Sequence, residues 1–361
     1  MVDPDADMCN VKNSTEIRGR SRWGVVASVL AAATVVCTVG PFASSQWVHP
    51  RGLFSLMTVA ALTCVLMATV VISLADRREM AEVGLLGTML MAASVMPLVH
   101  GLVTPDVLFD STEAFRTSAF LALPIAIVSG LPLLAPHSWF GRWAARHWRD
   151  WTLLSLLGVF VLASIVVFFP DLITTPGPRH AVTIAVTVVG VVALSSLSMR
   201  QMRLFDLGRR PANLFASISL MAIAVMGITP LISDPYTVAS WWTHVVGSLG
   251  VIGACLALAV ARRLSPSAHD VLAPVLTRDP LVAFELGLSP VIHGFVADLE
   301  AKDVITRDHV IRTGELAMWV GERFRLSAPE LRDLGLAAML HDVGKVRVPD
   351  EILKKPARLT V

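Results

Sequence analysis

Charge is scarce in this sequence. Only 16% of its 361 residues are Asp, Glu, Lys or Arg, against a hydrophobic content of 54% and a mean hydropathy of +0.66. So little charge on so apolar a chain excludes an ordinary soluble globular protein. Cysteine is scarce as well. Cys9, Cys37, Cys64 and Cys255 stand far apart, the last three inside apolar runs, so neither a disulfide framework nor a zinc signature can be assembled from them. A net charge of +2, with no basic block interleaved with aromatics, excludes nucleic acid as a partner. The charge that is present is uneven. Residues 1–263 hold 32 of the 58 charged residues, about one in eight, whereas residues 264–361 hold the other 26, about one in four. The break predicts a membrane-embedded part followed by a short aqueous part.

A hydrocarbon core of ~30 Å requires ~20 predominantly apolar residues in a helix. Eight stretches meet that demand: Trp23 to Phe42, Gly52 to Ala75, Val83 to Thr104, Thr117 to Ala135, Thr152 to Pro170, Ala181 to Met199, Asn213 to Ser233 and Trp241 to Ala261. None contains Asp, Glu, Lys or Arg. The first run is too long for a signal-peptide core and lacks a small-residue cleavage pattern, so it is expected to remain as a helix. Cytoplasmic loops retain Lys and Arg. One alternating set of segments carries fifteen, from Lys12, Arg18, Arg20 and Arg22 through Arg77, Arg78, Arg142, Arg146, Arg149, Arg200, Arg203, Arg209 and Arg210 to Arg262 and Arg263. The other set carries only Arg51, Arg116 and Arg179. Both termini are therefore expected in the cytoplasm, as an even number of spans also requires. The organisation expected is a tail at 1–22, an eight-span sensor part at 23–261, a linker at 262–284 and a helical domain at 285–361. Within the spans, His100 and His244 fall near the outer end. They fit a ligand, metal or pH-sensing site, or, more commonly, interfacial histidines bonded to a neighbouring helix. Pro124, Pro132 and Pro230 fit either hinges or ordinary structural kinks.

Beyond the last span, Pro266, Pro274 and Pro280 punctuate a stretch without sustained apolar period, as a linker would. Helical stripes follow at Ile292, Phe295, Val296 and Leu299, then at Ile311, Leu316, Val320 and Phe324. Ser327 with Glu330 forms a capping-box pattern for a third helix, with Pro329 in its first turn, and Gly344 is expected to end it. No strand signal appears. At the end of that helix stands Met339-Leu340-His341-Asp342-Val343-Gly344-Lys345. An imidazole and a carboxylate at a helix C-terminus, where exposed carbonyls favour cations, suit a borderline divalent metal such as iron, manganese or zinc. Lys345 is a compact positive charge suited to a phosphate oxygen.

Upstream of His341-Asp342 stands His309, in Thr306-Arg307-Asp308-His309, at a separation that matches the opening of the HD phosphohydrolase pattern. The ordered series Leu299-Glu300-Ala301-Lys302-Asp303, Thr306-Arg307, His309, His341 to Lys345, Val348-Pro349-Asp350, Ile352-Leu353, Lys355-Pro356 and Leu359-Thr360 resembles the first half of an HD-GYP domain. Members of that family are bacterial phosphodiesterases that hydrolyse cyclic di-GMP at a bi- or trinuclear metal centre. With the apolar runs, the resemblance gives an expected all-α fold, a membrane bundle of about eight transmembrane helices followed by a partial helical HD domain, in the bacterial inner membrane. It implies His309, His341 and Asp342 as metal ligands, Asp342 as the bridge between ions, and Lys345 at the scissile phosphate. The chemistry would be metal-assisted hydrolysis with no protein nucleophile. Cyclic di-GMP or a related phosphoester would be the substrate, the lipid bilayer a partner, and a homodimer is expected only by analogy with signalling receptors. Where some members carry a third-metal glutamate this chain has Ile305, so at most two divalent ions, iron or manganese, are expected. Asp308 and Val310 replace the Gly and Ser that often flank the first histidine. The chain given stops at Val361, before the later ligands and the Gly-Tyr-Pro signature, and is therefore expected not to be a competent phosphodiesterase by itself. The alternative is a receptor or scaffold whose HD region serves as an interaction surface.

Overall fold

Lipid offers no partners to backbone N–H and C=O groups, so apolar segments must satisfy their own as helices. The computed structural model describes residues 32–353 and 355, apart from 79, 109–111, 174, 176, 178–179, 265–279 and 303–306. Among these it is helical throughout, with no strand beyond an isolated antiparallel bridge between Gln46 and Thr237. The apolar part comprises α1 (Pro50–Arg78), α2 (Ala81–Leu102), α3 (Thr112–Leu134), the short α4 (Trp139–Arg146), α5 (Trp148–Phe168), α6 (Ala181–Gly208), α7 (Pro211–Gly227), α8 (Thr229–Ile232) and α9 (Val238–Leu264).

Six of these helices, α1, α2, α3, α5, α6 and α9, are long and apolar enough to cross a membrane. Among the described residues the expected count of eight is not reached. The run at 213–233 is divided, because α7 ends at Gly227 and α8 starts at Thr229, with Pro230 in its first turn. Proline lacks the N–H that a continuous helix would use. Of the first run, residues 32–39 are helical, while 23–31 lie outside the described residues, as does the tail at 1–22.

The bundle is apolar outside and buries polar side chains among an apolar core. Leu66, Leu153 and Phe160 are 70%, 70% and 68% exposed on its flanks, whereas Thr88, Ser118 and Thr243 are completely buried. That arrangement suits lipid, which supplies no hydrophobic drive between helices and leaves close packing and interhelical hydrogen bonds to hold them. Thr88 on α2 meets Thr152 on α5, Oγ1 to Oγ1, at 2.6 Å. Asn213 at the start of α7 donates to Gln201 Oε1 on α6 at 2.8 Å. Gly84 admits the indole of Trp148, whose ring would lie 2.3 Å from any Cβ placed there.

The linker expected at 262–284 is helical at both its ends: α9 continues to Leu264, and α10 starts at Pro280. Residues 265–279 lie outside the description. The C-terminal part contains α10 (Pro280–Leu286), α11 (Pro290–Lys302), α12 (Arg307–Arg323), α13 (Ala328–Leu340), a 3-10 turn (Val343–Arg347) and α14 (Asp350–Leu353). Its core gathers Phe284, Leu288, Val296, Leu299, Val310, Met318, Leu331 and Met339 around Leu207, which belongs to α6. Helix α6 runs past the expected span end at Met199 as far as Gly208 and inserts its last turn into this core. There Arg332 Nη1 on α13 donates to the Leu207 carbonyl at 2.9 Å. The last carbonyls of a helix have no intrahelical donor, and a guanidinium satisfies one while countering the negative end of the dipole. Arg203 on α6 also pairs with Glu322 on α12 at 3.4 Å.

Candidate metal centre

The sequence separation of His309 and His341 has a geometric meaning. His309 lies in the first turn of α12, which runs on to Arg323, and His341 lies just past the end of α13, which starts at Ala328. At a rise of about 1.5 Å per residue, each of these stretches is about 20 Å long, up one helix and down the next. If the two helices run antiparallel, both histidines return to the same level. The turn between them makes them do so. Arg325 adopts φ 57°, and the Leu326 N–H bonds the Gly321 carbonyl at 3.1 Å. Ser327 then begins α13, its N–H and hydroxyl both donating to the Glu330 carboxylate at 2.7 and 2.6 Å. Those two bonds hold the exposed Glu330 carboxyl below its ordinary range. Between the helices, Val310 and Met318 face Leu331 and Met339 in one apolar cluster.

The two imidazoles stand 6.4 Å apart between ring centroids, inclined at 58°. His341 Nδ1 lies 2.8 Å from the Ala338 carbonyl, which can only accept, so Nδ1 carries a proton. That orientation is typical of metal-ligating histidine. Nε2 lies 3.2 Å from Asp342 Oδ2. The same oxygen accepts from Lys345 Nζ at 2.7 Å. Helix α13 ends at Leu340, earlier than expected from Gly344, and the chain tightens into the 3-10 turn, where the Lys345 N–H reaches the Asp342 carbonyl at 2.9 Å. This turn is what bends Lys345 back onto the carboxylate. The Lys345 ammonium, bonded to it, holds the Asp342 carboxyl below the ordinary carboxylate range against the opposing effect of burial.

In kind, two imidazoles and a carboxylate suit a borderline divalent ion. In placement they fall short of one: among the described residues, no three His, Cys, Asp or Glu side chains converge closely enough to hold a metal. The carboxylate is turned to Lys345 instead. Of the other residues in the expected motif series, Asp303, Ile305, Thr306, Pro356, Leu359 and Thr360 lie outside the described residues. Val310 is buried in the helix contact rather than at the edge of the site. The Ala338 carbonyl, which fixes the His341 ring, carries no side-chain signal and escaped sequence reasoning. Arg332 and Leu207 escaped it too, because a contact between positions so distant along the chain leaves no local pattern.

Residues 306–360 match the HD domain family. HD domains are generally metal-dependent, which supports divalent metal at this segment. The segment is similar to a cyclic di-GMP phosphodiesterase of Pseudomonas aeruginosa, 40% identical over 62 residues that make up 17% of this chain and 15% of the relative. It is also similar to a cyclic di-GMP phosphodiesterase response regulator of Xanthomonas campestris pv. campestris, 40% identical over 62 residues, 17% of this chain and 16% of the relative. A cyclic di-GMP phosphodiesterase of Thermotoga maritima is 39% identical over 61 residues, 17% of each chain. The chain thus spans about one sixth of the length of the curated relatives it matches. No solved structure matches it.

Proposed function

We propose that this chain is a bacterial inner-membrane signalling protein, both termini cytoplasmic, whose HD segment contributes to a metal-dependent phosphodiesterase acting on cyclic di-GMP or a related phosphoester. The observation that carries the reading is the return of His309 to His341-Asp342 across the α12–α13 hairpin, within a segment similar to three cyclic di-GMP phosphodiesterases. His309, His341 and Asp342 would hold the metal, iron or manganese and at most two ions, and Lys345 would meet the phosphate. A divalent ion supplies Lewis acidity and an activated water in such hydrolysis. The chain's own contribution is orientation: Ala338 fixes the His341 ring, and Lys345 holds Asp342 ionised.

A second reading, a non-catalytic receptor or scaffold, is favoured by one observation, the closure of Asp342 on Lys345 without a converged ligand triad. On that reading the 361-residue chain is inactive by itself. Membranes carrying it are assayed for cyclic di-GMP hydrolysis with added manganese or ferrous ion, beside His341→Ala and Asp342→Ala. Hydrolysis abolished by both substitutions supports the enzyme; no hydrolysis by any form supports the scaffold. Hydrolysis that survives both would overturn the ligand assignment. A reporter fused after Val361 tests the orientation, and a periplasmic signal contradicts it.

A further inference from the structure

The apolar bundle contains a second pair of histidines, at the end opposite the HD segment. His100 lies near the C-terminus of α2 and His244 in the second turn of α9. Although far apart in sequence, their rings are 5.8 Å apart between centroids and within 6° of parallel. Both are enclosed, at 4% and 9% exposure. Residues 45–47 bridge to 236–238 at this same end, and Trp241 Nε1 donates to the Trp47 carbonyl at 2.9 Å.

The hydrogen bonds fix which nitrogens are available. His100 Nδ1 lies 3.0 Å from the Phe115 carbonyl, with Ser118 Oγ at 3.2 Å, and His244 Nδ1 lies 2.7 Å from the Ser240 carbonyl. A carbonyl oxygen accepts only, so both Nδ1 atoms carry the proton, and both Nε2 atoms are left as acceptors. Two acceptors cannot bond to each other. His100 Nε2 is fully buried with no partner, and the same is true of Thr58 Oγ1 and Tyr236 OH. Thr58 Oγ1 lies 3.1 Å from the point where a side chain on Gly101 would begin, next to His100, and Tyr236 packs against the cluster containing Val99 and Phe115. A buried acceptor left unsatisfied costs about 1–3 kcal/mol. His100 Nε2 is such an acceptor, and with the His244 ring beside it the pocket calls for an electropositive occupant.

We propose that His100 and His244 bind a transition-metal ion of the imidazole-preferring class, zinc or copper, through their Nε2 atoms. Donation of Nδ1–H to a backbone carbonyl is the arrangement by which ligating histidines are oriented and made more basic. Neutral imidazole nitrogen selects this class over calcium or magnesium, which take oxygen donors. Two protein nitrogens leave the remaining positions to water or hydroxyl, so the ion is exchangeable rather than structural.

The site is tested in the full chain with its affinity tag removed, in a background of His309→Ala, His341→Ala and Asp342→Ala, so that the HD segment contributes no metal. After equilibration with zinc and dialysis, one zinc per chain is expected by elemental analysis, and none when His100→Ala and His244→Ala are added. X-ray absorption of the bound zinc is expected to show imidazole nitrogen, a readout that does not depend on the histidine variants folding. Absence of zinc in the background chain, zinc retained after loss of both histidines, or a ligand shell without imidazole each overturns the proposal. Because the HD ligands are absent throughout, none of these outcomes bears on the phosphodiesterase reading.

Discussion

Gly287→Ala should separate the HD segment from α6. Gly287 follows α10, and a Cβ there would stand 2.1 Å from the Gly208 carbonyl oxygen, 2.4 Å from its Cα and 2.5 Å from its carbonyl carbon. All three are backbone atoms at the end of a long helix, so no rotamer change relieves the overlap. Each lies well inside the 3.0 Å that real Cβ contacts essentially never breach. Overpacking of this kind costs about 1–3 kcal/mol. The cost can be relieved by moving α10 outward, which draws Phe284 and Leu288 away from Leu207 and uncovers the end of α6. A cost of about 1–3 kcal/mol corresponds to about a 5- to 150-fold change in the docking equilibrium. Amide hydrogen exchange of the purified chain in lipid nanodiscs reads this directly. Residues 281–288 and 203–208 should lose protection together by a factor in that range, while α2 and α5 keep theirs. Loss of protection in α2 and α5 as well would indicate general unfolding, and unchanged exchange at 203–208 would refute the claim that the two glycine backbones are in contact.

Other consequences follow from the same contacts. Leu207→Ala removes a completely buried side chain from the joint core and should cost about 2–5 kcal/mol of docking, seen as faster proteolysis within 280–353. Arg332→Met, which keeps much of the stem but loses the donor to the Leu207 carbonyl, should cost about 1.5–3 kcal/mol and raise exchange at the end of α6 alone. The Asp342 carboxyl is depressed in the folded chain, so its contribution to stability is present above the unfolded carboxylate pKa and lost as pH falls through the lower folded value. Asp342→Asn should therefore flatten the acid side of the pH–melting curve, and an unchanged acid limb would show that the Lys345 pair contributes nothing.

How legible the molecule was in its sequence depended on whether the signal was local. The apolar runs became helices near the expected places because each run satisfies its own backbone. The helix is interrupted at Ile228, two residues before Pro230, whose place in the run fits a hinge or a structural kink. In the tail, Ser327 and Glu330 start α13 as expected. Gly344 does not stop it, because His341 still has helical backbone angles and Asp342 leaves them, so the stop lies in the dihedrals of the His-Asp pair itself. His309 and His341 were nameable from the motif series that resembles the HD-GYP domain, and their separation proves to be the length of one helical hairpin. The approach of His100 to His244 was not, since it depends on how α2 and α9 pack, and no spacing encodes that.

The same distinction bears on how the bundle reaches the HD segment. Sequence order offers one route, from α9 through residues 265–279. The packing offers another: α6 ends inside the HD core at Leu207, is capped there by Arg332, and is braced one turn earlier by Arg203 and Glu322. A rotation or piston shift of α6 relative to α9 would act on the HD core directly at Leu207, without transmission through the intervening segment. Because Leu331 and Met339, in the same cluster, lie on the helix that carries His341, the α6 terminus and the histidine end are joined by a single continuous apolar contact network. Lengthening the 265–279 stretch by a flexible insertion should therefore leave exchange at 203–208 and 281–288 unchanged if α6 is the mechanical contact. Loss of protection at both on insertion would assign that role to α9.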